Sequence, residues 1–231
     1  MASLIVGLVD GNGKLIISQP YDEYQYGRRS REILFCTRGN SLVEILQDEL
    51  GYISYRDNCL VLKQVLSTNG NVSAMSLLGK IAEAVLVRRC NENPELNRQL
   101  FMLARRKGAW RTTANKYIAI GTGLKPTESR YPQRYNPHDT QRDIIWVDSN
   151  DTPALMAGSN GMSGIEAGLQ VKTSLYGSNY ILNDLISNRY EVPIVYFPVN
   201  NDFEEIVDNL AKNQNAYVFD TDTGNYRGIR I

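Results

Sequence analysis

Arg142-Asp143-Ile144-Ile145-Trp146-Val147-Asp148 and Gly164-Ile165-Glu166-Ala167-Gly168-Leu169-Gln170-Val171-Lys172-Thr173-Ser174 are the two stretches that decide the fold. Each contains a short, largely apolar run of strand length, Asp143–Val147 in the first and Leu169–Thr173 in the second. A third such run is Ile194–Val199. Runs of this length, rich in β-branched residues, read as strands buried on both faces. Asn179–Asn188 and Asp202–Ala211 lie between and after them with helical spacing. Strands alternating with helices predict an α/β, mixed α+β core: a central mixed sheet flanked by helices.

Upstream the period changes to that of helices. Leu77, Leu78, Ile81, Ala84 and Val85 predict a long helix over Ser73–Cys90. Asn93-Pro94-Glu95 opens a second, with proline in its first turn and Leu96, Leu100, Phe101, Leu103 and Ala104 on its apolar side. Lys125–Asp139 carries three prolines and no periodicity and reads as a loop.

Residues 1–70 read as a β-rich N-terminal subdomain for recognition or partner binding, and residues 71–231 as the α/β core. Leu4–Val9 and Lys14–Ser18 flank Asp10-Gly11-Asn12-Gly13, a hairpin signal. Glu32–Thr37 reads as a strand. Ser41 and Glu44 make a capping box for a helix over Leu42–Leu50, stopped by Gly51. Tyr52–Tyr55 and Leu60–Val65 read as short strands. The turn cluster Ser67–Asn71 marks the boundary.

The 231 residues carry 25 Lys/Arg and 25 Asp/Glu. Zero net charge excludes a polycation of the histone kind and an acidic tail protein. Fully apolar runs stop at about four residues, as in Ala84–Val87, so no membrane span is expected. The N-terminus lacks the basic start of a secretory leader. Cys36, Cys59 and Cys90 are scattered and odd in number, which suits a reducing cytoplasm. A lone histidine, His138, excludes a His-rich zinc site.

The neutral total hides an asymmetry. Residues 1–138 hold 19 Lys/Arg against 12 Asp/Glu, and residues 139–231 hold 6 against 13. No acid lies between Glu95 and Glu128, a gap that carries Arg98, Arg105, Arg106, Lys107, Arg111, Lys116 and Lys125. Such a segment either tracks the phosphates of a nucleic acid or pairs with the acidic half of the same molecule.

Strand side chains alternate, so Gln170 and Lys172 share a face, and Glu166 joins them if the strand extends upstream. An unpaired buried amine costs several kcal/mol, so that face is wet or functional. Gly79-Lys80-Ile81-Ala82-Glu83-Ala84-Val85 adds an apolar helix bearing one acid. This combination resembles the PD-(D/E)XK nuclease superfamily, the restriction-endonuclease-like fold: a helix with Glu, a strand led by Asp, and a strand bearing acid-x-Lys. Gln170-Val171-Lys172 is similar to the variant with Gln in place of the acid. The resemblance covers roughly residues 74–210.

The resemblance implies a Mg²⁺-dependent endonuclease of the restriction or phage-defence kind, with Mn²⁺ as substitute and DNA as partner. Asp143, Gln170, Lys172 and Glu83 are then its catalytic set. Asp143 and the Val171 carbonyl hold the ion, and Glu166 is the alternative carboxylate, because 26 residues separate Asp143 from Gln170. The seven cations from Arg98 to Lys125 neutralise flanking phosphates. Gln170, being neutral, keeps a second reading open: an inactive nuclease-fold protein that serves as a nucleic-acid-binding or assembly subunit. A homodimer stays open under either.

Overall fold

The computed structural model describes residues 41–56, 59–64, 67–158, 161–174, 179–187 and 189–197, with 202, 205–206, 208–209 and the backbone of four outlying strand segments. Those four form two antiparallel hairpins, β1 (Ile5–Val9) with β2 (Leu15–Pro20) and β11 (Tyr217–Asp220) with β12 (Asn225–Gly228). The expected strand at Glu32–Thr37 lies outside the described residues, as does much of Asp202–Ala211.

A helical turn, α1 (41–44), runs into one π-helical turn at Ile45–Glu49, and Gly51, at φ +67, ends it in a conformation that favours glycine. The hairpin of β3 (Ile53–Arg56) and β4 (Cys59–Leu62) follows. Ile45 and Leu50 are buried in the same cluster as Leu86 and Cys90. Arg88 ties this segment down through Glu49 at 2.7 Å and Glu44 at 3.5 Å. Residues 41–50 therefore share the core of the chain beyond residue 70.

Asn69 caps α2 (Gly70–Glu92), its Oδ1 accepting the Asn71 and Val72 amides at 2.9 and 3.4 Å. Asn93 then serves twice. Its extended backbone ends α2, and its Oδ1 accepts the Glu95 and Leu96 amides to start α3 (Pro94–Arg105). Pro94 cannot continue α2 but suits the first turn of α3. With 23 residues and a mean hydropathy of 1.2 over its best 18-residue window, α2 is long and apolar enough to cross a membrane. Counting unbroken apolar runs misses this, because each Ser, Gly or Lys interrupts the count. In the fold, Ala82, Ala84, Leu86, Val87 and Cys90 of α2 are buried, and the helix packs on the sheet and α3.

The sheet has the order β10-β9-β6-β5, from β5 (Tyr117–Gly121), β6 (Ile144–Asp148), β9 (Gly168–Thr173) and β10 (Ile194–Phe197). β10 runs parallel to β9, and the other pairs are antiparallel. The mixed α/β architecture expected from the sequence is present. Alternation decides what each face meets. Ile144 and Trp146 join the α2–α3 core with Leu169 and Val171. Ile145 and Val147 pack with Ile120 on the other face. On that far side Ile194 and Tyr196 meet Ile181 and Leu182 of α6 (Asn179–Ile186).

Three elements differ from expectation. The strand β5 has no turn signal in front of it, only the helical turn α4 (Arg111–Ala114). Asn91 brackets its Ala119 through both amide atoms, at 2.9 and 3.1 Å, and Asn97 takes the Tyr117 carbonyl at 3.1 Å, so side chains occupy part of the strand's backbone. Lys125–Asp139 contains α5 (Lys125–Arg130) and a 3₁₀ turn at Pro132–Arg134, because its prolines stand where helices begin. The segment between β6 and β9 folds as a hairpin of β7 (Leu155–Gly158) and β8 (Gly161–Glu166).

Candidate functional site

A cleft of about 490 Å³ lies between the N-terminal half of α2 and the carboxyl end of β9. Glu83, Asp143, Gln170, Val171 and Lys172 all line it, with Lys80. Three stretches separated by tens of residues meet there, the last two because β9 pairs antiparallel with β6. Ile144 lies opposite Leu169, which brings Asp143, one residue before β6, to Gln170.

Asp143 is held from three sides. Its amide donates to the Leu169 carbonyl at 2.9 Å, and its carbonyl accepts the Thr122 amide at 2.8 Å. Its Oδ2 accepts the Val171 amide at 2.8 Å and the Gln170 side-chain amide. The N–H and C=O of a strand residue point the same way, so the Val171 carbonyl also faces the Asp143 side, past the last β6–β9 pair. Burial raises the Asp143 pKa, and the Val171 amide, Lys80 and Lys172 pull against it.

Glu83 is 1% exposed. Burial pushes its pKa up to about 7, against the opposing charge of Lys80 and with the charge of Asp143. Lys80, one turn earlier on α2, donates to Glu83 Oε2 at 2.7 Å. Burial lowers the Lys80 pKa, but the charge and hydrogen bond of Glu83 outweigh this and raise it. Two glycines make the room. A Cβ on Gly121 would stand 2.6 Å from Leu124 and 2.9 Å from Glu83 Oε1, and one on Gly123 would stand 3.0 Å from Lys80 Nζ. The Gly121-Thr122-Gly123 turn thus lets the Lys80–Glu83 pair approach the end of β5.

Lys172 sits deeper. Its amine donates to the Tyr190 hydroxyl at 2.7 Å and lies 3.7 Å from Asp184, which also pairs with Arg189 at 3.0 Å.

Glu166 is not brought to this group. It ends β8 and pairs with Arg134 at 3.0 Å and Arg142 at 3.4 Å. The alternation that would join it to Gln170 fails, because the chain leaves one strand and begins another across Ala167.

The cations of the acid-free segment do not line the cleft either. Arg98 pairs with Glu95 at 2.5 Å and Lys125 with Glu128 at 2.6 Å. Arg105 donates to the Leu155 carbonyl at 3.3 Å and lies over the Phe101 ring, and Arg106 donates to the Glu191 carbonyl at 2.6 Å. Lys107, Arg111 and Lys116 are exposed. Sequence reasoning misses Lys80 as a site residue. Its signal is available, since positions three apart share a helix face.

Among the described residues no three of His, Cys, Asp and Glu gather as a metal cluster. The cleft nonetheless has two buried oxygens without a hydrogen-bond partner, Glu83 Oε1 and Gln170 Oε1. With the Asp143 carboxylate and the Val171 carbonyl they form an all-oxygen donor set, which suits a hard cation such as Mg²⁺ or Mn²⁺ and not zinc.

No protein-family model, no curated protein and no solved structure matches the chain.

Proposed function

We propose that this chain is a Mg²⁺-dependent endonuclease that hydrolyses DNA phosphodiester bonds in the cytoplasm, of the restriction or phage-defence type. The observation that carries the reading is the meeting of Asp143, Glu83, Gln170 and Lys172 in one cleft with two unpartnered buried oxygens. Asp143, the Val171 carbonyl and Gln170 Oε1 would hold the ion, with Glu83 reaching it from α2. Bound there, Mg²⁺ supplies Lewis-acid polarisation of a phosphate oxygen and lowers the pKa of a water.

The chain's own groups do the rest. Lys80 and Lys172 place two positive charges at the cleft wall, where negative charge grows on the phosphate as the transition state forms. Tyr190 and Asp184 hold the Lys172 amine in position. Gln170 and the Val171 amide fix the Asp143 carboxylate in one rotamer. The test is incubation of purified protein with supercoiled plasmid in Mg²⁺, Mn²⁺ or EDTA. Nicking or linearisation that EDTA stops, and that Asp143→Ala abolishes, is the expected result. No cleavage by folded wild type in either metal ends the catalytic reading.

One observation favours a second reading, an inactive nucleic-acid-binding or assembly subunit. The Asp143 carboxylate is already bound by a neutral amide where a second carboxylate would stand. Salt-sensitive DNA binding by a protein that never cuts would establish it.

A further inference from the structure

Trp110 is 84% exposed, whereas the chain's other tryptophan, Trp146, is wholly buried and donates to Asn97 Oδ1 at 2.7 Å. A tryptophan offers some 150–250 Å² for burial, so holding one in water forgoes a large gain unless something covers it. Trp110 is extended (φ −68, ψ 153) at the N-cap of α4 and lines an open pocket with Arg98, Ala109, Arg111 and Thr112.

The surroundings are cationic. Arg106, Lys107, Arg111 and Lys116 are exposed, and Arg111 reaches Glu95 only at 3.6 Å with its side chain 80% in water. Glu95 is shared with Arg98, and no further acid occurs in the chain before Glu128. Like charges so spaced repel a cationic partner and attract an anionic one.

We propose that Trp110 is a stacking platform for a base of single-stranded nucleic acid, with Arg111, Lys107 and Lys116 neutralising the adjoining phosphates. A π face beside positive charge is what an unpaired strand needs, since every base has a face to stack and every link a charge. A duplex buries its base faces in its own stack and offers the tryptophan none. The inference goes beyond cleavage and holds whether or not the cleft cuts.

The test uses the full chain in EDTA, so that no strand is cut, and oligothymidylate as the probe. Trp146 is shielded, so quenching of tryptophan fluorescence reports Trp110. We expect saturable quenching by oligothymidylate. By anisotropy of a labelled oligomer, Trp110→Ala should bind about 5- to 100-fold more weakly. Trp110→Phe keeps a ring and should stay near wild type, and Arg111→Glu should weaken binding and flatten its salt dependence. The exposed position lets each variant fold, which circular dichroism checks.

Wild-type affinity in Trp110→Ala overturns the proposal. So does equal quenching by a duplex, or a dimer that Trp110→Ala dissolves, which would assign the ring to a groove or to a second copy. Trp110-dependent binding without plasmid cleavage sinks the nuclease reading alone, and cleavage without Trp110-dependent binding sinks this one alone.

Discussion

Gln170 and Asp143 face each other across two antiparallel strands, joined by a hydrogen bond from Gln170 Nε2 to Asp143 Oδ2. The amide does what a carboxylate at that position could do only with a cation between the two groups. It gives the buried Asp143 a donor and leaves its own Oε1 buried without a partner. The neutral residue at 170 is therefore a stabiliser of the metal-free state.

Gln170→Glu follows directly from that pairing. Two carboxylates in contact repel, and Asp143 already has its pKa raised by burial. In EDTA the variant should melt below wild type, and Mg²⁺ should raise its melting temperature more than it raises that of wild type, by mass action on the folded state. Thermal melts with and without Mg²⁺ check this. Equal Mg²⁺ shifts in the two proteins would mean that position 170 does not face the ion.

Glu83 sets a pH dependence. Its folded pKa, about 7, is above the ordinary 4.5. The stability due to its protonated form is fully present below about pH 4.5 and is lost as pH rises through about 7, by roughly 3 kcal/mol at most. Denaturant melts of wild type and Glu83→Gln across that range should diverge, with the variant gaining relative stability as pH rises and the difference levelling above pH 7. Lys80→Met removes the opposing charge and should move the inflection upward. A difference between wild type and Glu83→Gln that stays constant with pH would show that Glu83 does not titrate there.

These groups also show how far the sequence can be read. The strand after Asp143 is legible because a strand buried on both faces is an unbroken apolar run, the strand of Lys172 because Leu169 and Val171 alternate with Gln170 and Lys172, and α2 and α3 because their apolar residues keep a helical period. The hairpin Leu155–Glu166 is not, since its second strand is built on Gly161, Ser163 and Gly164, residues poor in strand signal. Glu166 is misplaced for the same reason: alternation predicts a shared face only within one strand, and the strand break at Ala167 has no signal of its own. Lys80 goes unnamed when its partner Glu83 is read as a lone acid, although the two stand three apart on one helix. The Tyr190 and Asp184 contacts to Lys172 are tertiary and have no spacing to read.

Those contacts make Lys172 a test of structure against chemistry. Asp184 is buried, its Oδ2 has no hydrogen-bond partner, and Lys172 stands 3.7 Å from that atom. Lys172→Ala should therefore abolish cleavage and also destabilise the fold, by less than the roughly 3 kcal/mol of a fully stranded buried charge, because Arg189 still pairs with Asp184 at 3.0 Å. Lys172→Ala with Asp184→Ala should recover much of that stability and none of the cleavage. Recovery of cleavage in the double variant would make Lys172 a structural partner only. Denaturant melts and plasmid cleavage on the three proteins decide it.

The basic segment divides by what each cation touches. Arg105 and Arg106 are spent on the Leu155 and Glu191 carbonyls, bonds that fasten the end of α3 to β7 and to the approach of β10. Lys107 and Lys116 are exposed. Reversing the arginines to Glu should lower the melting temperature, since removing a charged hydrogen bond costs about 1.5–3 kcal/mol. Reversing Lys107 and Lys116 should leave the melting temperature in place and weaken nucleic-acid binding alike for all sequences. The slope of log K against log salt should fall by about one for each phosphate no longer neutralised. Binding isotherms at several salt concentrations, set beside thermal melts of both double variants, separate the two. Unchanged affinity and salt slope after reversal of Lys107 and Lys116 would mean that these lysines face solvent alone and that nucleic acid, if bound, runs elsewhere on the molecule.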